Sequence, residues 1–418
     1  MSHRRKIGKS KTKYVFYFDE SHKTDVIHIS DDGRINIRSP RESDTSVGAF
    51  IGIPDEGLRE FEESFIRLAK VTKHRIGMKP DAELKATTFK KHHFNHGIAS
   101  FNGAMVEFYT GLFELLLRKK AVIHLNFISK TEVLVWSLFR YIDIPDDVEV
   151  DMPSMMFGLM KYIDTCAGPE ITRALSNISS EEGFDGFRKA LVEDYRDYVS
   201  YRYDESRSRG DKETFDVMMA FLYRCKFDIS TEKTIPFPFY MMFDTLVMNL
   251  MERKMDTDIR LVIDGEPEQY PEAKLFFDDV EFKDSRDEPM IRVCDHVAGF
   301  MGRMFKSMFD SRYAPDTGDE RISRSGRTLR LDSSWFDLDE GRFSLYRKVY
   351  LSLKRDQRFY TTTMSMLYCE TPVVVYSLFE YVGRLGRFDC YKKVPSELHQ
   401  EIYEFISVER LSKRVDES

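Results

Sequence analysis

The apolar positions of this chain follow two periods, and the switch between them predicts its elements. "YVFYFDES" (14–21) packs aromatic and β-branched residues consecutively, as in a strand covered on both faces, and then ends on Asp19 and Glu20. "VIHISDDGRINIRS" alternates on both sides of Asp31-Asp32-Gly33 and predicts a hairpin. "TSVGAFIGIP" predicts a second buried strand closed by Pro54, and "AVIHLNFIS" a third. Between them, Leu58, Phe61, Phe65, Leu68 and Ala69 form a helical stripe, and a further helix is predicted from Ile98 to Arg118. "GMKPDAELKATTF" reads as a turn and a short extended piece, leaving Glu83 just ahead of a helix.

From Thr131 to Asp258 helical periods dominate, as in "GFDGFRKALVEDYRDYVSYRY" and "FPFYMMFDTLVMNLMERKM". "DIRLVIDG" then returns to a strand ending on Asp264. "VEFKDSRDEPMIRVCDHVAGFMGRMF" gives a strand, a polar turn and a helix from about Met290. The expected fold is a mixed α/β sheet flanked by helices. Its core would take residues 14–130 and 259–305, with a helical insertion over 131–258 and a linker and helical C-terminal extension over 306–418. "TEVLVWSLFRYI" (131–142) and "TPVVVYSLFEYV" (371–382) echo each other, which would suit two similar helices packed together.

Composition narrows the class. With 42% hydrophobic and 32% charged residues the chain reads as an ordinary globule. No apolar run reaches the roughly 18 residues of a membrane span. The N-terminus is basic but lacks the pattern of a signal peptide, and five cysteines are scattered without a C-x-x-C pair, so a cytoplasmic protein with reduced thiols is expected. A net charge of −7 confines any polyanion to local basic patches, at Arg4–Lys13 and in "RISRSGRTLR" (321–330), both of which also read as solvated segments.

The carboxylates carry the candidate chemistry. Asp19 and Asp264 each end a strand, and open α/β sheets place ligands at such ends. Glu83 precedes a helix, and Asp295 lies among Val293, Val297 and Ala298. Acids gathered in apolar surroundings repel one another unless protonated or bound to a cation. Mg²⁺ or Mn²⁺ suits such oxygen donors, and paired ions of this kind hydrolyse phosphodiesters without a nucleophilic side chain.

"YFDESH", "AELK", "LVIDG" and "FKDSRDEPMIRVCDHVAGF", in this order, resemble the signature of an RNase H-like family catalogued as domain of unknown function 3800. The resemblance implies that Asp19, Glu83, Asp264 and Asp295 are metal-binding and catalytic acids, supported by Glu20, Ser21, Asp284 and Ser285. His22, Arg292 and Cys294 depart from the family's usual glycine, glutamine and alanine; Arg292 is placed to contact a phosphate or to crowd the site. The expected function is divalent-metal-dependent hydrolysis of DNA or RNA, and the resemblance adds an expectation of a role in defence against mobile elements. The alternative is a catalytically inactive RNase H-like module that binds nucleic acid or a protein partner through its helical additions. Those additions would also be where a second copy of the chain docks.

Other signals carry less. His92 and His96 are four apart, as zinc ligands on one helix face are, but no acid completes the pattern and a surface helix is the simpler reading. "GKSKT" (8–12) lacks the first glycine and preceding strand of a phosphate-binding loop. Trp136, Tyr141 and "MPSMMFGLM" read as core or helix contacts.

Overall fold

The computed structural model describes residues 13–21, 26–28, 45–140, 142–145, 151–165, 169–176, 178, 180–202, 208–227, 234–236, 239–255, 259–264, 269–313, 331–354 and 370–417. Outside them lie His22, the Asp31-Asp32-Gly33 turn with the arm after it, Tyr141, Cys166, Cys369, "RISRSGRTLR" (321–330), and residues 4–12 of the basic start with "GKSKT".

The strands are β1 (Tyr14–Ser21), β2 (Val26–His28), β3 (Thr45–Pro54), β4 (Val122–Ser129), β5 (Ile142–Asp143), β6 (Lys226–Phe227), β7 (Thr234–Pro236), β8 (Arg260–Asp264) and β9 (Asp279–Lys283). Five of them form a mixed sheet in the order β4-β3-β1-β8-β9. β1 pairs antiparallel with β3, and β3 with β4, whereas β8 runs parallel to both β1 and β9. Mixed α/β architecture with a helix-flanked sheet is thus what the chain adopts.

Burial on both faces explains the continuous apolar runs. Along β1, Val15 and Tyr17 join one hydrophobic core, while Phe16 and Phe18 join the other. In β3, Gly48 and Gly52 make room for this second core. A Cβ on Gly52 would stand 2.5 Å from the Phe16 ring, and one on Gly48 would stand 2.7 Å from Met242 Sδ. Only glycine allows so close an approach.

The first core is covered by α1 (Leu58–Arg75), α2 (Gly103–Arg118) and α10 (Pro289–Tyr313), the last packing on β1, β3 and β8. Behind them stand α11 (Glu340–Lys354), α12 (Glu370–Arg384), α13 (Phe388–Lys392) and α14 (Ser396–Glu417). Trp335, Tyr346 and Tyr403 from this C-terminal part are fully buried, so it completes the core on that face. The opposite core is built by α3 (Lys130–Arg140), α4 (Met152–Thr165), α5 (Pro169–Ser176), α6 (Glu181–Arg202), α7 (Ser208–Arg224), α8 (Phe239–Glu252) and α9 (Gln269–Lys274). Trp136 and Met152, Met155 and Met156 pack against it.

β2 pairs with β7, and the turn and second arm of the expected hairpin lie outside the described residues. Four expectations change. β1 does not end on Asp19 but runs on to Ser21, because Glu20 and Ser21 keep pairing with Gly48 and Val47 of β3. The helix expected from Ile98 starts at Gly103, because Asn102 accepts the Met105 N–H at 3.0 Å and caps it there. His92 and His96 share no helix face: His92 is in the 3-10 turn Lys91–Phe94, His96 caps a separate turn, and Gly97 adopts φ +57° at the start of that second turn. The echoing helices α3 and α12 do not pack together; Val133 and Leu138 lie in one core, Val374 and Leu378 in the other, across the sheet. Among the described residues no helix is long and apolar enough to cross a membrane.

Candidate functional site

Register places the first two acids. The parallel ladder pairs Phe18 with Ile263, and the next residue on each strand is Asp19 and Asp264. Asp264 in turn pairs with Lys283 of β9. Strand alternation puts Asp19 on the face of Tyr17 and Asp264 on the face of Val262, both in the first core. Asp19, Asp264 and Lys283 therefore form a row at the carboxyl ends of three adjacent parallel strands, on the face that α10 covers.

Asp295 comes from α10. It is one of the polar residues on a helix whose Val293, Cys294, Val297 and Ala298 are fully buried against the sheet. Its Oδ2 accepts the Ala86 N–H at 2.7 Å. Burial pushes the Asp295 carboxyl up and Asp264 adds repulsion, against the Ala86 N–H, Arg303 and Lys85, which favour the anion. Asp19 is pushed well above the usual carboxylate range by burial first, then by Glu20, Asp295 and Asp264, although the Glu20 N–H donates to its Oδ1 at 2.8 Å. The three aspartates therefore act on one another electrostatically.

Glu83 reaches the same edge from the loop side, ahead of a single 3-10 turn at Ala86–Thr88 instead of a full helix. With Asp264, Lys85, Lys283 and Arg286 it lines a cleft of about 590 Å³. Its Oε2 lies 3.4 Å from Lys85 Nζ, while Oε1 is buried without a hydrogen-bond partner. A buried carboxylate oxygen left without a donor is costly, and a cation is one group that would satisfy it.

The supporting residues divide. Ser285 donates its N–H to Asp264 Oδ1 at 3.3 Å, and so orients that acid. Asp284 is exposed and bound to Arg286, with contacts of 2.6–3.0 Å that hold its carboxyl down to about 2. Ser21 ends β1, where its carbonyl accepts from Ser46 Oγ at 3.4 Å. Glu20 faces away from Asp19: strand alternation sends it to the side of Phe18, where Gln269 Nε2 donates to its Oε1 at 2.8 Å. Arg292 lies one turn before Asp295 on α10, and its Nε is buried without a hydrogen-bond partner. Cys294 is buried beneath Asp19, and burial with that neighbour's charge drives its thiol well up.

Lys85, Lys283 and Arg303 complete the surroundings, and the residue pattern did not single them out. Lys283 is set beside Asp264 by the β8–β9 register, which no local spacing in the sequence announces. Its Nζ lies 2.7 Å from the buried Glu288 Oε2, so the cation at the rim is fixed in place. Among the described residues no three His, Cys, Asp or Glu side chains close on one point as a metal-binding group. Comparison with family models, with curated proteins and with solved structures gives no match.

Proposed function

We propose that this chain is a divalent-metal-dependent nuclease with an RNase H-like sheet, hydrolysing phosphodiester bonds in DNA or RNA. The observation that carries the reading is the row of Asp19 and Asp264 on adjacent parallel strands, with Asp295 coupled to both from the covering helix. The mixed sheet supports it, because its first strand is central and delivers its acid to the carboxyl edge. The sequence resemblance to the family named above supports it further.

Asp19, Asp264, Asp295 and Glu83 would hold Mg²⁺ or Mn²⁺. Oxygen donors of this kind match those ions, and the raised Asp19 and Asp295 carboxyls and the orphaned Glu83 oxygen are what a cation would relieve. When bound, the ion supplies Lewis-acid polarisation of the phosphate and eases deprotonation of the attacking water. The chain's own part is positional. Ser285 N–H and Ala86 N–H orient Asp264 and Asp295, while Lys85, Lys283 and Arg286 give the cleft cations that attract phosphate oxygens. In the reaction the water oxygen bonds to phosphorus, the ester P–O bond breaks, and the water proton ends on the released hydroxyl or in solvent.

The alternative, an inactive module that binds nucleic acid or a protein partner, is favoured by one detail: Glu83 turns to Lys85 instead of to the aspartates. A cleavage screen on labelled single- and double-stranded DNA and RNA, with Mg²⁺ or Mn²⁺ and against chelator, separates the two. The nuclease reading expects ion-dependent products and thermal stabilisation by Mn²⁺ through mass action. Neither products nor stabilisation would leave only the binding module.

A further inference from the structure

Contacts from one face of α10 converge on the residues that follow Glu83. His296 Nε2 lies 3.0 Å from the Leu84 carbonyl oxygen, which can only accept, so this nitrogen carries the proton. Asp295 accepts the Ala86 N–H at 2.7 Å, and Arg303 Nη1 donates to the Ala86 carbonyl at 2.6 Å. Gly299 removes the obstacle between them, since a Cβ there would stand 2.4 Å from that of Ala86. Residues 295, 296, 299 and 303 follow helical spacing and therefore share a face. The contacts fall on Leu84 and on Ala86, the first residue of the 3-10 turn, and residues 83–85 belong to no helix or strand. With Lys73 of α1, which donates to the Ala82 carbonyl at 3.1 Å on the other side of Glu83, these side chains hold the stretch in place.

Within this grip His296 is the unexpected choice. It is fully buried, with the Phe108 ring 4.6 Å away and Phe65 and Phe89 each at 6.2 Å. Its Nδ1 has no hydrogen-bond partner. A phenylalanine would suit such an aromatic cage without burying an unsatisfied nitrogen. What imidazole adds is the Nε2–H held against Leu84.

We infer that His296 is a positioning residue: through the Leu84 carbonyl it fixes the backbone that carries Glu83, and so sets where that carboxylate stands relative to Asp264 and Asp295. Its consequence for ion binding rests on the cation-site reading above. Outer partners of this kind orient ligands, and their loss typically weakens metal affinity by about 10–100-fold.

The test uses the full chain. His296→Phe keeps a ring and removes the donor, and His296→Gln returns an N–H at similar reach. His296→Asn, whose amide is too short for Leu84, replaces the phenylalanine variant should that one not fold. In chelator, amide exchange at Ala86 is expected to quicken about 10-fold in the donorless variant, the local protection of one hydrogen bond, and to recover with glutamine. Mn²⁺ affinity by titration calorimetry should fall about 10–100-fold with the same rescue. In a Glu83→Gln background the donorless variant should cost Mn²⁺ affinity little more, because the path runs through Glu83. Unchanged exchange at Ala86, or an equal affinity loss with Glu83 already replaced, overturns the inference. Absence of Mn²⁺ binding by the unsubstituted chain instead overturns the cation-site reading, and the exchange measurement then decides the hold on the loop by itself.

Discussion

Asp19 and Glu20 are consecutive, yet they serve opposite faces of the sheet: Asp19 is coupled to Asp264 and Asp295 under α10, and Glu20 is bound by Gln269 across the sheet. A strand built for burial carries two acids just before its last residue, Ser21, because each face has its own use for one. Asp19→Asn is therefore expected to lower divalent-dependent cleavage by about 1,000-fold, the several kcal/mol that ion-mediated stabilisation supplies. Glu20→Gln, which keeps an acceptor for Gln269, should retain activity within about threefold, since it only exchanges one hydrogen-bond acceptor for another. Initial rates on one labelled substrate check both, and equal losses would show that the two acids are not separated in function.

The same acid should destabilise the ion-free fold. The folded-state value of Asp19 lies above its unfolded one, so its contribution to stability is present at low pH and is lost as pH rises through the folded value. Asp19→Asn should raise stability in chelator by about 1 kcal/mol, as relief of a strained functional site commonly does. The gap in melting temperature between the variant and the unsubstituted chain should widen with rising pH and close with Mn²⁺. A gap that ignores both pH and ion would rule out carboxylate repulsion as its cause.

A second pH dependence comes from the other side of the sheet. Burial, followed by the charge of Arg253, pushes His124 down to about 3. Thr245 donates to Asn126 Oδ1 at 2.6 Å and so can accept from His124 Nε2 at 3.2 Å, while Asn249 Nδ2 donates to Nδ1 at 2.8 Å. Protonating Nδ1 would set two donors face to face. The neutral ring's contribution is present above its unfolded value near 6.5 and is lost as pH falls toward 3, at up to about 1.4 kcal/mol per pH unit. His124→Gln should be less stable at neutral pH and show a flatter profile between pH 6.5 and 4 in denaturant unfolding. Parallel profiles would remove His124 as the titrating group.

Two helical glycines should respond in opposite directions to alanine. Nothing lies within 4 Å of a Cβ placed on Gly186 of α6, so Gly186→Ala should gain up to about 1 kcal/mol from helix propensity. Gly299→Ala meets Ala86 at 2.4 Å and should lose about 1–3 kcal/mol through overpacking. Adding Ala86→Gly should recover most of that loss. Melting temperatures of the three variants test this directly.

Much of the layer structure was legible in the residues. The unbroken apolar runs of β1, β3 and β4 announced burial on both faces, and the helical stripes of α1, α6 and α8 announced cover. Boundaries were less visible: Asn102 and Gly97 act through a cap and a positive φ, and "FNHGIASFN" carries no period that separates them from the helix. Glu83 was visible as an acid, but the loop that carries it has no periodicity, so it is located by tertiary contacts, from α10 on Leu84 and Ala86 and from Lys73 of α1 on Ala82.

The linear order of residues by itself determined which stretches must be buried, because apolar periodicity is local and its energetic consequence is additive along the chain. It also determined that Asp264 ends its strand and that Asp19 lies near the end of β1, which runs on to Ser21. Only the tertiary structure decided that these strands are neighbours in parallel register, that Glu20 belongs to the far face, and that His296 and Arg303 hold the Glu83 loop. Pairing and packing join residues more than 200 positions apart, as Ala86 is joined to Asp295, and hydrogen bonds at that separation leave no trace in local spacing.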